Sequence, residues 1–456
     1  MCRVAVVSAV LCVCPAMAAI AAGAERVLTL DEAVSTALTA NPQIASARDT
    51  RSAATFKVQQ ARAGYLPSVA AVVGYKRATA NSPAPPYISS SGASAAASAS
   101  SSLSSLVVGR EETTSYDNWS ASVSLNQTIY DFGRTGGAHD AAAASEQAAA
   151  ADIRSVEEHV AFSVIQAYFG VLAAQESVKA ARETRRQMEK HLELAHAQVA
   201  AGVRTRIDVA RAQSDVASAN LAVLRAENAL KNGRLSLESI MGSRTRGDYT
   251  VERPAAAAAP AIGDVEQAVK EALERRPEHR SLVEKVRSLE AALRAVRSGY
   301  YPSIAANGNL GYSGYELDGM VYNWVLGATA TWNFFNGFAT QNAAEETRAN
   351  ISAAQSAIRT LEIALRQEIE SANLALGEAR ERMTPAQALL ASAKETLELA
   401  EARYAAGAGN IVEISDAQAV YTQARYGLIQ TEFDIEVARA RLLKAVGRVS
   451  EGRRTE

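Results

Sequence analysis

The sequence predicts an α+β membrane protein built from two similar halves, each containing two strands and long helices. Three observations lead to this prediction. A motif pattern occurs twice, four segments alternate with period two, and helical runs far exceed the about 11 to 12 residues of an average helix. The chain has 456 residues and a net charge of −2. So small a net charge gives no reason to expect nucleic acid as a partner.

Residues 1–24 have the pattern of a secretory signal peptide. Arg3 supplies a positive charge, and residues 4–14 form an apolar stretch that is too short to span a bilayer. Small residues follow, and we expect cleavage after Ala24. The mature chain then has no run of about 18 apolar residues, so any membrane crossing should use strands rather than a helix.

All the cysteines of the chain lie inside this segment: Cys2, Cys12 and Cys14. The mature chain would therefore have no disulfide and no thiolate metal site. Lipidation of a cysteine is the alternative use. It needs a small residue just before the cysteine, and the larger Leu11 and Val13 stand there instead. We therefore expect an unlipidated protein.

A motif pattern near the N-terminus returns in the second half. Residues 30–34 and 64–69 recur 235 positions later, at 265–269 and 299–304. Residues 118–242 recur 205 positions later without a gap. So many matches at fixed offsets indicate an internal two-fold repeat, and repeated units of this kind organise a fold.

The predicted domain boundaries follow from these offsets. The repeats cover residues 25–253 and 264–447, and an Ala/Pro linker at 254–263 joins them. The offsets differ by 30 residues (235 − 205), so the first repeat carries an insertion. The insertion falls in a Ser-rich stretch, which predicts an external loop at about 81–117. A polar tail, 448–456, ends the chain. Each repeat is predicted as helix, strand, strand, helix, helix.

Four segments alternate apolar residues with small or polar ones, as half-exposed strands do. Their predicted apolar faces are Val69, Ala71, Val73 and Tyr75; Trp119, Ala121, Val123 and Leu125; Ile304, Ala306, Gly308, Leu310 and Tyr312; and Trp324, Leu326, Ala328, Ala330 and Trp332. The wall of an outer-membrane barrel has this pattern, apolar toward lipid and polar toward water. A soluble sandwich with one wet face is the alternative.

Four strands are too few to close a membrane-spanning sheet. Open sheet edges cannot lie in lipid, so a sheet that crosses a bilayer must close on itself. Known barrels have about eight strands or more. The chain therefore needs copies of itself: two copies would give eight strands, and three would give twelve.

Long helices follow the strands in each half. Residues 136–201 contain no proline, and one helix over them would be about 100 Å long at 1.5 Å per residue. The next helix keeps a strict 3-4 apolar spacing that is typical of a coiled coil. This seam consists of Val209, Ala212, Val216, Ala219, Val223, Ala226 and Leu230. Gly202 and Gly407 interrupt the helical runs, which predicts a helical hairpin in each half. Helices that leave a closed barrel should form a tube with a lumen.

The order of these motifs resembles the TolC-like outer-membrane efflux protein family. The resemblance covers nearly all of the mature chain and rests on residues 28–33 with 41–42, 64–68, 129–134, and 202–209 with 212–213. It implies a homotrimer with a twelve-stranded outer-membrane β-barrel, four strands per chain, continued by a long periplasmic α-helical coiled-coil barrel.

The same resemblance implies a function and partners. Members of the family are passive exit ducts in the outer membrane of Gram-negative bacteria, with a large periplasmic portion. They serve tripartite efflux pumps or type I secretion systems, and so export small molecules or protein. A periplasmic adaptor joins the hairpin ends to an inner-membrane pump that supplies the energy. The partners implied are therefore copies of the chain, an adaptor, a pump and outer-membrane lipid.

The resemblance also assigns residues at the hairpin ends. The positions that would meet the adaptor are Gly202, Val203, Thr205, Gly407, Ala408 and Asn410. Gates in the family use a tyrosine, an arginine and acidic residues. Tyr404, Glu413 and Asp416 match the tyrosine and the acids, whereas Gly409 stands at the position of the arginine.

The residues themselves support an acidic mouth. Glu413 and Asp416 lie three residues apart and share one helix face. Three chains would bring them into a ring of acids, which favours cations in a pore. The 205-residue offset relates Asp208 to Glu413 and Arg211 to Asp416, so we expect both at the mouth near Tyr404, where the arginine could pair with an acid. A solvated helix face is the alternative for the two acids.

No catalytic or cofactor chemistry is predicted. The spacing of the histidines does not fit a metal site: His139, His159, His191, His196 and His279. Residues 133–137 are glycine-rich but lack the Lys-Ser/Thr ending of a phosphate loop. We therefore expect no enzyme, no metal and no cofactor. A membrane-anchored coiled-coil stalk or adhesin is the alternative function, although it would not require strands in both halves.

Overall fold

A computed structural model describes residues 26–79, 115–242, 249–254 and 264–448. The predicted signal peptide and most of the predicted external loop, linker and tail lie outside these residues. Among the described helices, none combines the length and the hydropathy that a membrane-spanning helix requires. The chain divides into two compact units, which are described separately below.

The same order of elements occurs in both halves of the chain. The first half contains β1 (Arg26–Leu28), α1 (Leu30–Ala40), α2 (Pro42–Arg62), β2 (Ser68–Thr79), β3 (Ser115–Tyr130), α3 (Arg134–Ala200) and α4 (Arg206–Met241). The second contains β4 (Tyr249–Val251), α5 (Val265–Arg275), α6 (Pro277–Arg297), β5 (Ser303–Gly314), β6 (Val321–Thr331), α7 (Ala339–Ala405) and α8 (Ile411–Ala445).

Three details differ from the sequence prediction. A short strand that was not predicted precedes the first helix of each half, and that helix is broken in two. The second of these strands, β4, lies within the range predicted for the first repeat. The break falls at Asn41 and Arg276, which have extended ψ angles of 126° and 124° because each precedes a proline. In addition, β3 begins at Ser115, so the predicted external loop does not extend to residue 117.

The unit formed by residues 49–151 and 278–360 contains a four-stranded antiparallel sheet with the order β2-β3-β5-β6. Its register places the predicted apolar residues on one face, except Trp332, which follows the end of β6 at Thr331. Ala121 of β3 pairs with both Val73 and Tyr312, and Leu310 pairs with Trp324. Apolar side chains on this face are exposed, with Val73 at 83% and Leu326 at 71%. No part of the described unit covers this face, and the edge strands β2 and β6 each have one partner only.

The other unit contains α4, α8 and the parts of α3 and α7 from residues 152 and 361 onward, which form two helical hairpins, together with a short parallel strand pair, β1–β4. Around the first hairpin, buried residues of α1 pack against Val164, Tyr168 and Leu237. The Tyr168 hydroxyl reaches the carbonyl oxygens of Leu28 (2.9 Å) and Glu252 (2.7 Å), which ties the strand pair to α3. Burial raises the pKa of Tyr168 to about 12, so the hydroxyl stays a donor.

The second hairpin has an equivalent core. Buried side chains of α5 pack against Ile369, Leu376 and Leu442. Each hairpin ends at a glycine in the left-handed conformation. This residue is Gly242 in the first half and Gly447 in the second, with φ of +69° and +78°. A Cβ at Gly242 would lie only 2.5 Å from the carbonyl oxygen of Ala40, so glycine is needed there for space as well as for φ.

Candidate functional site at the hairpin ends

Both hairpins turn at the glycines that the sequence singles out. Gly202 and Gly407 have φ of +74° and +78°. In the first turn the Val203 N–H donates to the carbonyl of Gln198 at 3.0 Å, and the equivalent bond of the second turn joins Ala408 to Arg403 at 3.0 Å. This pattern closes a helix with a left-handed glycine and satisfies its last carbonyls. The two turns therefore have the same backbone geometry.

The predicted adaptor positions are exposed. Val203, in the turn of the first hairpin, is 64% exposed. Ile207, in the first helical turn of α4, is 75% exposed. Thr205 and Asn410 are exposed N-cap residues, and the Asn410 side chain accepts a hydrogen bond from the Val412 N–H at 3.3 Å. The ends of the hairpins thus offer apolar and small side chains to a partner.

Tyr404, a predicted gate residue, is fully buried in this chain. It packs with Leu397, Ile411 and Ile414 between the helices of the second hairpin. Burial raises the pKa of its hydroxyl, and the nearby charge of Asp208 acts in the same direction. Asp208, in the first turn of α4 on the other hairpin, is half-buried. Within the described residues, the Tyr404 hydroxyl has no hydrogen-bond partner.

The predicted acids lie on the surface of α8. Glu413 and Asp416 are both exposed, and Glu413 approaches Arg403 of α7, with 3.8 Å between its Oε2 and the arginine Nε. Arg211 is also exposed, and among the described residues of one chain no ion pair joins it to Asp416. The role of these residues as a gate stays a prediction.

Arg204, which the sequence analysis did not select, connects the two hairpin ends. Its Nη2 donates to the carbonyl of Gly409 at 2.5 Å, and its guanidinium carbon lies 5.0 Å from the centre of the Tyr404 ring. Gly409 is buried, and a Cβ there would lie 2.9 Å from the backbone nitrogen of Tyr404. Arg204 and Gly409 are 205 positions apart, so the repeat offset already related them.

A second group missed by the sequence analysis lies further along the hairpins. His191 of α3 is 3.2 Å from a carboxylate oxygen of Glu401 on α7, and its side chain is only 13% exposed. On the neighbouring helices, the Ser415 hydroxyl donates to Asp215 at 2.7 Å. Burial lowers the pKa of His191, although the charges of Glu401 and Asp215 act in the opposite direction. Among the described residues, no three potential ligands cluster as a metal site would require.

Comparison with known proteins agrees with this architecture. The sequence profile described as "Outer membrane efflux protein" matches residues 33–243 and 268–448. The outer membrane protein OprJ of Pseudomonas aeruginosa is 28% identical over 334 residues, which cover 69% of this chain and 67% of OprJ. The outer membrane protein TolC of Vibrio cholerae is 24% identical over 350 residues, which cover 74% of this chain and 78% of TolC. Other curated relatives are matched over 61% to 69% of their length.

A solved structure gives the same fold. The Campylobacter jejuni CmeC outer membrane channel superposes with a TM-score of 0.77 at 20% identity, covering 92% of this chain and 86% of that channel. The profile matches most of the chain in two blocks, one in each half. The chain belongs to the outer membrane efflux protein family.

Proposed function

We propose that this chain forms the outer-membrane exit channel of a tripartite efflux system, and that it conducts passively. The observation that carries the proposal is the uncovered apolar face of the four-stranded sheet, whose strands β3 and β6 are each followed by a helical hairpin. Lipid is the partner that such a face requires, because its exposed side chains are apolar, whereas most residues of the opposite face are small or polar. The matched family supports export rather than a merely structural role.

The edges of this sheet support closure by further copies of the chain, and the proposed assembly is a homotrimer with a twelve-stranded barrel. β2 and β6 offer unpaired backbone groups along 12 and 11 residues. Those groups cannot remain unpaired in lipid, so β6 of one chain would pair with β2 of the next. Three copies give twelve strands, which leaves an aqueous lumen lined by residues such as Ser122 and Asn309.

The helices carry a matching surface for other copies. One stripe of α7 exposes large apolar side chains at Ile363 (72%), Leu374 (73%), Leu389 (55%) and Leu399 (59%). At about 100° per residue these four positions fall within one side of the helix. An apolar stripe of this kind on a water-soluble helix needs cover, and helices of neighbouring copies in a coiled-coil barrel would provide it.

The hairpin ends would bind a periplasmic adaptor, and through it an inner-membrane pump. Val203 and Ile207 supply exposed apolar area, and the small Gly407 and Ala408 would let partner helices approach closely. No energy-coupling chemistry is needed in this chain under the proposal, since the pump would supply it.

Purified protein in detergent tests the proposal directly. We expect native mass spectrometry to give three copies of the mature chain, and planar-bilayer recording to give discrete conductance steps. A trimer that never conducts would favour the stalk or adhesin. A monodisperse monomer would overturn the shared barrel. In cells, crosslinking through a cysteine placed at Val203 should capture an adaptor, with the exposed Lys57 position as the matched control.

A further inference from the structure

The junctions between the helices and the four-stranded sheet carry arginines. Arg62 ends α2 and Arg297 ends α6, and each stands two residues before the glycine of a 3₁₀ turn that leads into a strand. The repeat offset of 235 relates these two positions. Arg134 begins α3, shortly after β3 ends. All three residues are exposed, and within the described residues none of them forms an ion pair.

The three junctions that carry these arginines are in contact with one another. A Cβ at Gly64 would lie 2.9 Å from Cγ2 of Thr135, so the end of α2 packs against the start of α3. Phe132, between β3 and α3, stacks on Tyr301, which follows the end of α6, with ring centres 5.0 Å apart. The arginines therefore belong to one continuous region of the unit. We call this set the arginine belt: Arg62, Arg134 and Arg297.

The arginine belt lies at the level where the apolar face of the sheet ends. β2 begins six residues after Arg62, and β5 begins six residues after Arg297. Val69, the first residue of β2 on the apolar face, is exposed, as are the aromatic rings of Tyr65 and Tyr300 in the connections. Tyrosine rings and long basic side chains are typical of the boundary between hydrocarbon and water. The belt therefore lies where phospholipid head groups would lie.

The two ends of the sheet differ in charge. The connections that follow α2 and α6 contain no acidic residue. In the third junction, the Asp131 carboxylate accepts hydrogen bonds from two backbone N–H groups of its own turn, at 3.2 and 2.8 Å. At the opposite end of the sheet, the turn between β5 and β6 carries Glu316 and Asp318 and no basic residue. The positive charge on the helix side favours an anionic partner there.

We propose that the arginine belt binds the phosphate groups of anionic phospholipids at the helix-side boundary of the outer membrane. The inference rests on the proposed function, because it takes the apolar face of the sheet to be covered by lipid. A guanidinium presents several N–H donors in one plane, and these match the oxygens of a phosphate. Since no carboxylate of the described residues pairs with the belt, its donors remain available to a head group.

Lipid binding by the purified protein tests the arginine belt. The probes are phosphatidylglycerol, which is anionic, and phosphatidylcholine with the same acyl chains, which carries no net charge. Native mass spectrometry in detergent should show that the parent prefers phosphatidylglycerol. A basic residue near an anionic membrane surface contributes about fivefold in affinity. Arg62→Gln/Arg297→Gln should therefore lose about tenfold or more of the preference, and Arg134→Gln about fivefold.

Two variants serve as controls. Arg280→Gln/Arg359→Gln removes two exposed arginines of the same unit that lie further from the sheet, on α6 and α7, and should keep the preference. Arg62→Lys/Arg297→Lys keeps the charge and should keep most of it. If thermal unfolding shows that Arg62→Gln/Arg297→Gln has lost its fold, the two single variants replace it, each with a loss of about fivefold.

Bilayer recording separates the arginine belt from the proposed function. If the parent conducts but Arg62→Gln/Arg297→Gln keeps the full preference for phosphatidylglycerol, the belt is overturned and the channel stands. A shifted reversal potential with unchanged lipid preference would show that the arginines face the lumen, which also overturns the belt. Competition by inorganic phosphate at equal concentration would assign a site for free phosphate instead of lipid. If the preference falls as expected while the parent conducts in no bilayer, the lipid surface stands and the channel function fails.

Discussion

Asn41 and Arg276 occupy equivalent positions in the two halves, and each donates a hydrogen bond to the end of the helix that completes its half. The Asn41 amide donates to the carbonyl of Ile240 at 2.6 Å, and the Arg276 guanidinium donates to that of Lys444 at 3.0 Å. Both side chains are 6% exposed. Each lies at the break between two helices, so two different side chains perform the same structural task.

This relationship predicts unequal losses of stability. Arg276 also forms an ion pair with Glu368 at 3.3 Å, so Arg276→Ala would leave a carboxylate and a helix end without their partner. We expect it to destabilise the chain by about 3 to 5 kcal/mol, and Asn41→Ala by about 1 to 3 kcal/mol. Thermal unfolding in detergent measures both. Arg280→Ala, at an exposed position of α6, is the control. Equal effects of the three variants would contradict the proposed role.

Local patterns predicted the fold well wherever the repeat and the alternation were strong. The strand register and the turns at Gly202 and Gly407 follow from period-two alternation and from glycine in helical runs. The strands β1 and β4 escaped prediction because three residues carry no detectable alternation. Pro42 gave a usable signal for the helix break, because the residue before a proline avoids the helical conformation, but the sequence analysis did not use it.

The hairpin ends were harder to predict, for a physical reason. The sequence identifies exposed and charged residues near a turn, but it does not say which side chain crosses to the other hairpin. The Arg204 contact spans 205 positions and joins two separate turns, which only the packed structure reveals. Tyr404 is a core residue in one chain, and its role at a mouth stays a prediction.

The turn before α7 contains a phenylalanine at a position where glycine should be more stable than alanine. Phe338 has φ of +66°, a left-handed conformation that costs most residues about 1 to 2 kcal/mol. We therefore expect Phe338→Gly to be more stable than Phe338→Ala by about 1 kcal/mol. The same pair of substitutions at Phe335, which lacks positive φ, is the control and should show no gain for glycine. Unfolding midpoints in detergent measure this difference. A Phe338→Ala variant that is more stable than Phe338→Gly would contradict backbone strain at this position.

Burial of His191 predicts that the folded chain loses stability on mild acidification. Its folded-state pKa is lowered by burial below the ordinary value of about 6.5. Above that value both the folded and the unfolded state are neutral, and the residue adds no pH dependence. As the pH falls below about 6.5, the unfolded state binds a proton first and stability declines. Any state in which the helices separate around His191 would be favoured in the same way.

Comparison of the parent with His191→Gln between pH 7.5 and pH 5.5 measures this effect. We expect the unfolding temperature of the parent to fall more than that of His191→Gln between pH 7.5 and pH 5.5. His196→Gln replaces an exposed histidine of the same helix and should behave like the parent. Identical pH profiles for the parent and His191→Gln would show that Glu401 and Asp215 fully offset the burial.

The acidic residues of α8 lead us to expect that the proposed channel prefers cations to anions. Both Glu413 and Asp416 are exposed in one chain, and three copies would present six carboxylates if this face lines the lumen. Glu413 is partly offset by Arg403, although an exposed pair of this kind contributes only about 0 to 1 kcal/mol. Asp416 has no such cation in the described part of the chain, so Asp416→Ala should reduce selectivity more than Glu413→Ala does.

Reversal potentials in asymmetric salt measure this selectivity. The double variant Glu413→Ala/Asp416→Ala should lose most of the cation preference, and the loss should be largest at low ionic strength, where charges are least screened. Glu395→Ala/Glu398→Ala removes two exposed acids at the same spacing on α7, further from the turn, and should change selectivity less. If the double variant on α8 keeps both the parent's conductance and its reversal potential, the two acids face outward and only solvate the helix.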